Sequence, residues 1–179
     1  MTAQDGFTRS AATTAIQEDT SMSFKMQRVH VYHTEVTDEP GGIAAKLKLL
    51  AEAGVHLEYV YSQRSATKPG VGDLYVAPIS GNGQLTAARS AGLHEAQEPI
   101  VMRVEGDDRA GLAGRLTVAW ETAGVNLHEM VMAAIGGKFV GYVTFDTVPD
   151  ANKAATILAE IGTADPPAPV KAASGTVRR

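Results

Sequence analysis

Two short stretches carry most of the chemistry that this sequence offers. Asp38-Glu39-Pro40-Gly41-Gly42 and Asp108-Arg109-Ala110-Gly111 each set an aspartate three positions ahead of a glycine, just before a run with helical spacing. A helix N-terminus presents unpaired N–H groups and partial positive charge, and so attracts anions. An aspartate beside it attracts a cation, and a glycine lets a bound group approach the backbone because no Cβ intrudes. Further along, His56 and Asn126 occupy matching places after a second glycine in each stretch. An amide such as Asn126 donates from one end and accepts at the other. These groups hold charged or polar atoms and are not assembled for bond breaking. Each also has a structural reading: the aspartates as helix caps, the glycines as turn residues, Asn126 as a local bonding partner, His56 and Arg109 as solvated surface.

Other residue types point away from catalysis. The chain has no cysteine, which removes thiol catalysis, disulfides and thiolate metal sites. His30 and His33 are three apart and fall on opposite faces of a strand, a poor metal pair. His128-Glu129 begins a run, HEMVM, that lacks the second histidine of a zinc-protease motif. No nucleophile elbow, phosphate loop or dinucleotide glycine pattern occurs. No cofactor or metal is implied.

The 179 residues include 16 Lys+Arg and 20 Asp+Glu, a net charge of −4, with 44% hydrophobic residues. This is the balance of a globular protein, and its mild acidity argues against a nucleic-acid backbone as partner. No apolar run reaches the roughly 18 residues needed to cross a bilayer, and the N-terminus lacks a signal-peptide pattern. A soluble, cytoplasmic protein with no membrane or nucleic-acid partner is expected.

The elements that must position these residues follow from periodicity. Residues 1–27 read as a flexible tail with a short helix around Ala11–Glu18, and residues 165–179, with Pro166, Pro167 and Pro169, as another. Val29 and Val31 alternate as in a strand. Asp38 is placed as a helix N-cap, with Ile43, Leu47 and Leu50 forming the apolar stripe of the helix and Gly54 ending it. Strands follow at Val55–Tyr61 and around Leu74–Val76, then a helix at Gln84–Ala91 and a short strand near Leu93–Ala96. From residue 98 the order recurs: a strand through Val101–Val104, a helix carrying Leu112, Leu116 and Trp120, a hairpin at Gly136-Gly137 between two strands, and a helix with Ala154, Leu158 and Ile161. Its last strand is not visible, because TADPPAP is a poor ladder sequence, and the edge so exposed invites pairing.

The recurrence is a duplication. DEPGGIAAKLKLLAEAGVHL from Asp38 aligns without gaps on DRAGLAGRLTVAWETAGVNL from Asp108, an offset of 108 − 38 = 70. Two βαββαβ units, each with a D-x-x-G turn into a helix ending in A-G-V-x-L, resemble the ACT domain family over most of residues 28–162. The first unit keeps the family's Pro40-Gly41 but has His56 where asparagine is favoured; the second keeps Asn126 but has Ala110 in place of proline.

The resemblance implies an α+β fold of two tandem ferredoxin-like βαββαβ (ACT) units, residues 28–97 and 98–164, with antiparallel sheets and helices on one face. It implies that units pair side by side into a continuous sheet, within a chain or across a homodimer. It also implies a non-catalytic regulatory protein that binds a free amino acid, or a similar small effector, where units meet, and that acts on a regulated enzyme or regulator. The ligand-binding candidates are then Asp38, Glu39, Gly41, Gly42, His56, Asp108, Arg109, Gly111 and Asn126. The competing reading is an oligomerisation or partner-docking module without a small-molecule ligand.

Overall fold

The structure, a computed structural model, describes residues 24–163. The helix read at Ala11–Glu18 and the C-terminal tail lie outside the described residues. In chain order the elements are β1 (Phe24–Val29), β2 (Tyr32–Thr37), α1 (Gly42–Glu52), β3 (Tyr59–Arg64), β4 (Val71–Ala77), α2 (Gly81–Ser90), β5 (His94–Glu95), β6 (Ile100–Asp107), α3 (Leu112–Thr122), β7 (Glu129–Ile135), β8 (Lys138–Phe145) and α4 (Val148–Thr163). They form two antiparallel four-stranded sheets, ordered β3-β4-β2-β5 and β1-β6-β8-β7. The fold is therefore α+β, with two ferredoxin-like units whose sheets are separate rather than continuous.

The first unit runs β2-α1-β3-β4-α2-β5 in sequence. The second runs β6-α3-β7-β8-α4 and takes its remaining strand from the other end of the chain. β1 pairs antiparallel with β6, from Phe24 opposite Gly106 to Val29 opposite Val101, in the place that β5 holds beside β2. The strand sought after α4 is thus supplied by residues 24–29, and Phe24–Gln27, expected to belong to the N-terminal tail, are strand. Val29 and Val31 do not share a strand: His30 and Val31 carry the chain from the second sheet into the first. The physical reason is visible in the side chains. Phe24 and Met26 alternate toward the second core and pack against it, and the Phe24 ring meets Phe139 edge-on at 6.0 Å. The edge of β6 expected to be open is covered.

Each sheet has one face under its helices. In the first unit Leu74 and Val76 of β4 point to that face and pack with Leu50, Ala88 and Leu93. In the second, Leu116, Trp120, Phe145 and Leu158 form the larger core, each worth about 1.5–3 kcal/mol on burial. Trp120 Nε1 donates to the Ala154 carbonyl at 3.2 Å, so its polar edge is partnered inside.

The helix starts differ from expectation. Gly41 and Gly111, not Asp38 and Asp108, are the N-caps, both left-handed (φ 98° and 79°) and neither with a side-chain capping bond. The aspartates lie three positions before the caps and belong to the strand ends: Asp38 N–H donates to Gly70 O at 3.0 Å and Asp108 N–H to Gly137 O at 2.9 Å.

The faces turned away from the helices meet in part. Val31, Tyr59, Ala77 and Val101 form a third buried cluster, flanked by Tyr61, Tyr75 and Tyr142. The tyrosines on alternate strand positions are therefore covered by the neighbouring unit, which accounts for bulky rings on the face opposite the helices.

Candidate functional site

The second glycine turn is the more open of the two. No side chain caps α3, and Leu112 N–H donates back to Arg109 O at 3.1 Å within the turn. The first bond of the α-helical spacing is made by Arg115 N–H to Gly111 O at 3.0 Å, which leaves Ala113 and Gly114 ahead of the ladder. These residues, with Asp108, Arg109, Gly111 and residues 132–134 of β7, line a cavity of about 380 Å³. A Cβ built on Gly111 would meet nothing within 4 Å. A guanidinium (Arg109), an acid (Asp108) and a bare helix start with its partial positive charge thus share one concavity.

The first turn is more occupied. Asp38 is ion-paired with Arg64 Nε at 2.9 Å, and Glu35 beside it is paired with Lys68. Gly41 is open, but Gly42 is accounted for by its own chain: a Cβ there would overlap the Thr37 carbonyl oxygen. Leu112 holds the matching place in the second unit, with its side chain buried. Glu39 is exposed.

His56 and Asn126 do not join these turns within a unit. Each follows the glycine that ends its helix, where Val55 N–H and Val125 N–H close on Leu50 O and Trp120 O. Eleven residues of α1 or α3 separate them from Gly41 and Gly111, a rise of about 16 Å. Both are exposed. Asp108, Arg109 and Gly111 come together; Asp38, Glu39, Gly41 and Gly42 form a second cluster at the other turn; His56 and Asn126 stand apart from each.

Three histidines have carboxylate partners at 2.8–2.9 Å: His30 with Glu95, His33 with Asp73 and His128 with Asp146. The His33 ring also lies 4.6 Å from Tyr75, so this imidazole is held as part of the sheet surface. Among the described residues no group of three or more His, Asp or Glu is placed to hold a metal ion.

The junction between units is a polar and aromatic seam that residue spacing did not reveal. Tyr59 and Tyr142 approach with ring centroids 4.5 Å apart, and the Tyr142 hydroxyl donates to Glu58 O at 3.1 Å. The Tyr61 hydroxyl donates to Gln63 Oε1 at 3.1 Å, with the Glu129 carboxylate close enough to act on it. Hydrogen bonding to Glu129, and then burial, push the Tyr61 pKa up to about 12; burial foremost raises that of Tyr59. Arg103, directly opposite Tyr142 in the ladder, ion-pairs with Glu105 at 2.8 Å. The available signal was four tyrosines at strand positions whose partners on the helical side were already apolar.

No family model matches the chain, and no curated protein does. Solved structures do. A protein from Bacteroides thetaiotaomicron, BT0572, superposes over 77% of this chain and 91% of its own with a TM-score of 0.62 at 13% identity. The regulatory subunit of aspartate kinase from Thermus thermophilus, in its ligand-free form, covers 79% of this chain and 96% of its own, with a TM-score of 0.53 at 13% identity. E. coli aspartokinase III, solved in complex with aspartate and ADP, matches 78% of this chain with 33% of its own length, at a TM-score of 0.52 and 12% identity. At such identities the likeness is one of fold alone.

Proposed function

We propose that this chain is a non-catalytic regulatory module that binds a free amino acid at the start of α3. The observation that carries the reading is the cavity in which Asp108, Arg109 and an uncapped, left-handed Gly111 turn meet. The ligand carboxylate sits toward Arg109 and the helix N–H groups, and its ammonium toward Asp108; neither group on its own distinguishes an amino acid from a simple anion or amine. The shared fold with an aspartate kinase regulatory subunit supports a regulatory role. Binding is read by thermal denaturation of the full chain with each common amino acid. A ligand at 100 times its dissociation constant adds about 2.7 kcal/mol, a midpoint rise of roughly 5–10 °C for a chain of this size. Asp108→Asn removes the rise while leaving the unliganded midpoint in place. No rise with any amino acid overturns the proposal.

One observation favours a second role, self-association. On β7, the edge strand of the second sheet, Val131 is 49% and Ile135 78% exposed, and the strand carries neither proline nor lysine to block pairing. Sedimentation of the full chain with and without amino acids separates the two: a homodimer that ignores ligand is the docking reading, and a ligand-dependent one joins both.

A further inference from the structure

A different cavity, of about 370 Å³, lies where the two units join, and neither unit builds it alone. Val29 and Arg103 come from the second sheet, Ala77 and Ile79 from the end of β4 in the first, and the facing rings of Tyr59 and Tyr142 from both. It stands at the β3 start and the β4 end, so along the strands it is remote from the glycine turns, which follow the far ends of β2 and β6.

The second unit lines it with two cations, Arg28 and Arg103, and with no acid. Lys25 Nζ and Arg103 Nη2 both bind Glu105, at 3.2 and 2.8 Å, so two cations share one carboxylate. Arg103 Nε is buried and has no hydrogen-bond partner among the described residues. A buried donor left in that state has lost its hydrogen bond to water without replacement, a penalty that an acceptor drawn beside it would relieve. The first unit contributes two acids, Glu58 and Glu95, and Glu95 is already engaged by His30. Much of the remaining wall is apolar or aromatic: Val29, Ala77, Pro78, Ile79 and the two tyrosine rings. A concavity of this size, with a broad apolar wall and one guanidinium donor unmet, is built for one kind of small molecule.

We propose that the inter-unit cavity binds a small organic carboxylate with an aromatic or branched apolar body, its carboxylate toward Arg103 and its body against Tyr59, Tyr142 and Ile79. Because both units supply the walls, occupancy holds the sheets together, and the site is separate from that of the proposed amino-acid effector. A free amino acid and its analogue without the ammonium share the carboxylate, so both serve as probes.

The test is calorimetric titration of the full chain with 3-phenylpropanoate, benzoate and phenylalanine, repeated on Arg103→Gln, Gln27→Trp and Asp108→Asn. Gln27 is exposed and lines the cavity, so a tryptophan there obstructs it without altering Arg103. Saturable binding of 3-phenylpropanoate or benzoate is expected. It should weaken about tenfold or more in Arg103→Gln, as loss of a charge-assisted bond requires, weaken likewise in Gln27→Trp, and stay unchanged in Asp108→Asn. Absence of carboxylate binding, or binding indifferent to both cavity variants, overturns the proposal. Carboxylate binding lost only in Asp108→Asn also overturns it and places the ligand at the α3 turn. Carboxylate binding that follows Arg103, with no amino acid bound by any variant, upholds it while the effector reading at α3 fails.

Discussion

The Tyr142 hydroxyl on β8 donates to the Glu58 carbonyl just before β3, at 3.1 Å, and so joins the second unit to the first. The ring beneath that hydroxyl packs on Tyr59 at 4.5 Å. Removing only the hydrogen bond, by Tyr142→Phe, is expected to cost about 1 kcal/mol. Tyr142→Ala also removes ring packing and should cost about 2–4 kcal/mol. Urea unfolding distinguishes them, with the midpoint falling and the slope unchanged while unfolding stays two-state. Equal stability of all three proteins would show that the seam does not hold the units together.

β1 makes a second and more consequential tie. Only His30 and Val31 separate β1 in one sheet from β2 in the other, so the whole first unit is inserted between β1 and the rest of the second unit. Deleting residues 1–29 strips Phe24 and Met26 from the second core and opens the β6 edge. The expected outcome is loss of cooperative unfolding by circular dichroism together with self-association by light scattering. A monomer that still unfolds cooperatively would mean that β1 is dispensable.

What was legible in the sequence and what was not divide along physical lines. The 70-residue offset, the Gly54 and Gly124 helix stops and the Gly136-Gly137 hairpin were readable because each is a local backbone demand that few residues meet. The role of β1 was hidden, since Phe24-Lys25-Met26 shows its alternation only opposite β6, where Lys25 faces Glu105 and Phe24 faces Gly106 from the far side of the whole first unit. The caps were misplaced for a related reason: Asp108 N–H is drawn to Gly137 O in a distant hairpin, which keeps Asp108 at the strand end and lets the helix start only at Gly111. At the site, residue types pointed to Asp108, Arg109 and Gly111 but not to their distance from Asn126, which is fixed by the length of α3. Arg103 gave no signal, because its neighbours across the junction come from the other unit.

The two glycines at the first turn separate backbone strain from steric exclusion. Gly41 has φ 98° with open space where a methyl would stand, so Gly41→Ala carries backbone strain alone, about 1–2 kcal/mol. Gly42 has ordinary φ, but its Cβ would overlap the Thr37 carbonyl oxygen, which is backbone with little room to yield. Gly42→Ala is therefore expected to be the more destabilising by at least about 1 kcal/mol. Thermal midpoints of the two variants check the order, and a reversed order would mean that the β2–α1 turn relaxes easily.

Tyr61 makes the junction sensitive to alkali. Its pKa is pushed up to about 12 by Glu129 and burial, against an ordinary value of 10.0. The folded state therefore keeps the phenolic proton over a range in which the unfolded chain releases it. Unfolding then releases a proton between these values, and stability falls as pH rises through that window, with the full contribution present below pH 10. Tyr61→Phe removes this proton linkage, so its stability should decline less steeply than that of the parent between pH 10 and 12, since the other tyrosines still titrate. Glu129→Gln weakens the linkage by removing the carboxylate that favours the neutral phenol. Urea unfolding at intervals from about pH 9 to pH 12 reads the slopes, and ultraviolet titration of tyrosinate shows which protein ionises late. Identical slopes in parent, Tyr61→Phe and Glu129→Gln would remove the Tyr61–Glu129 contact from any account of how the two units are held.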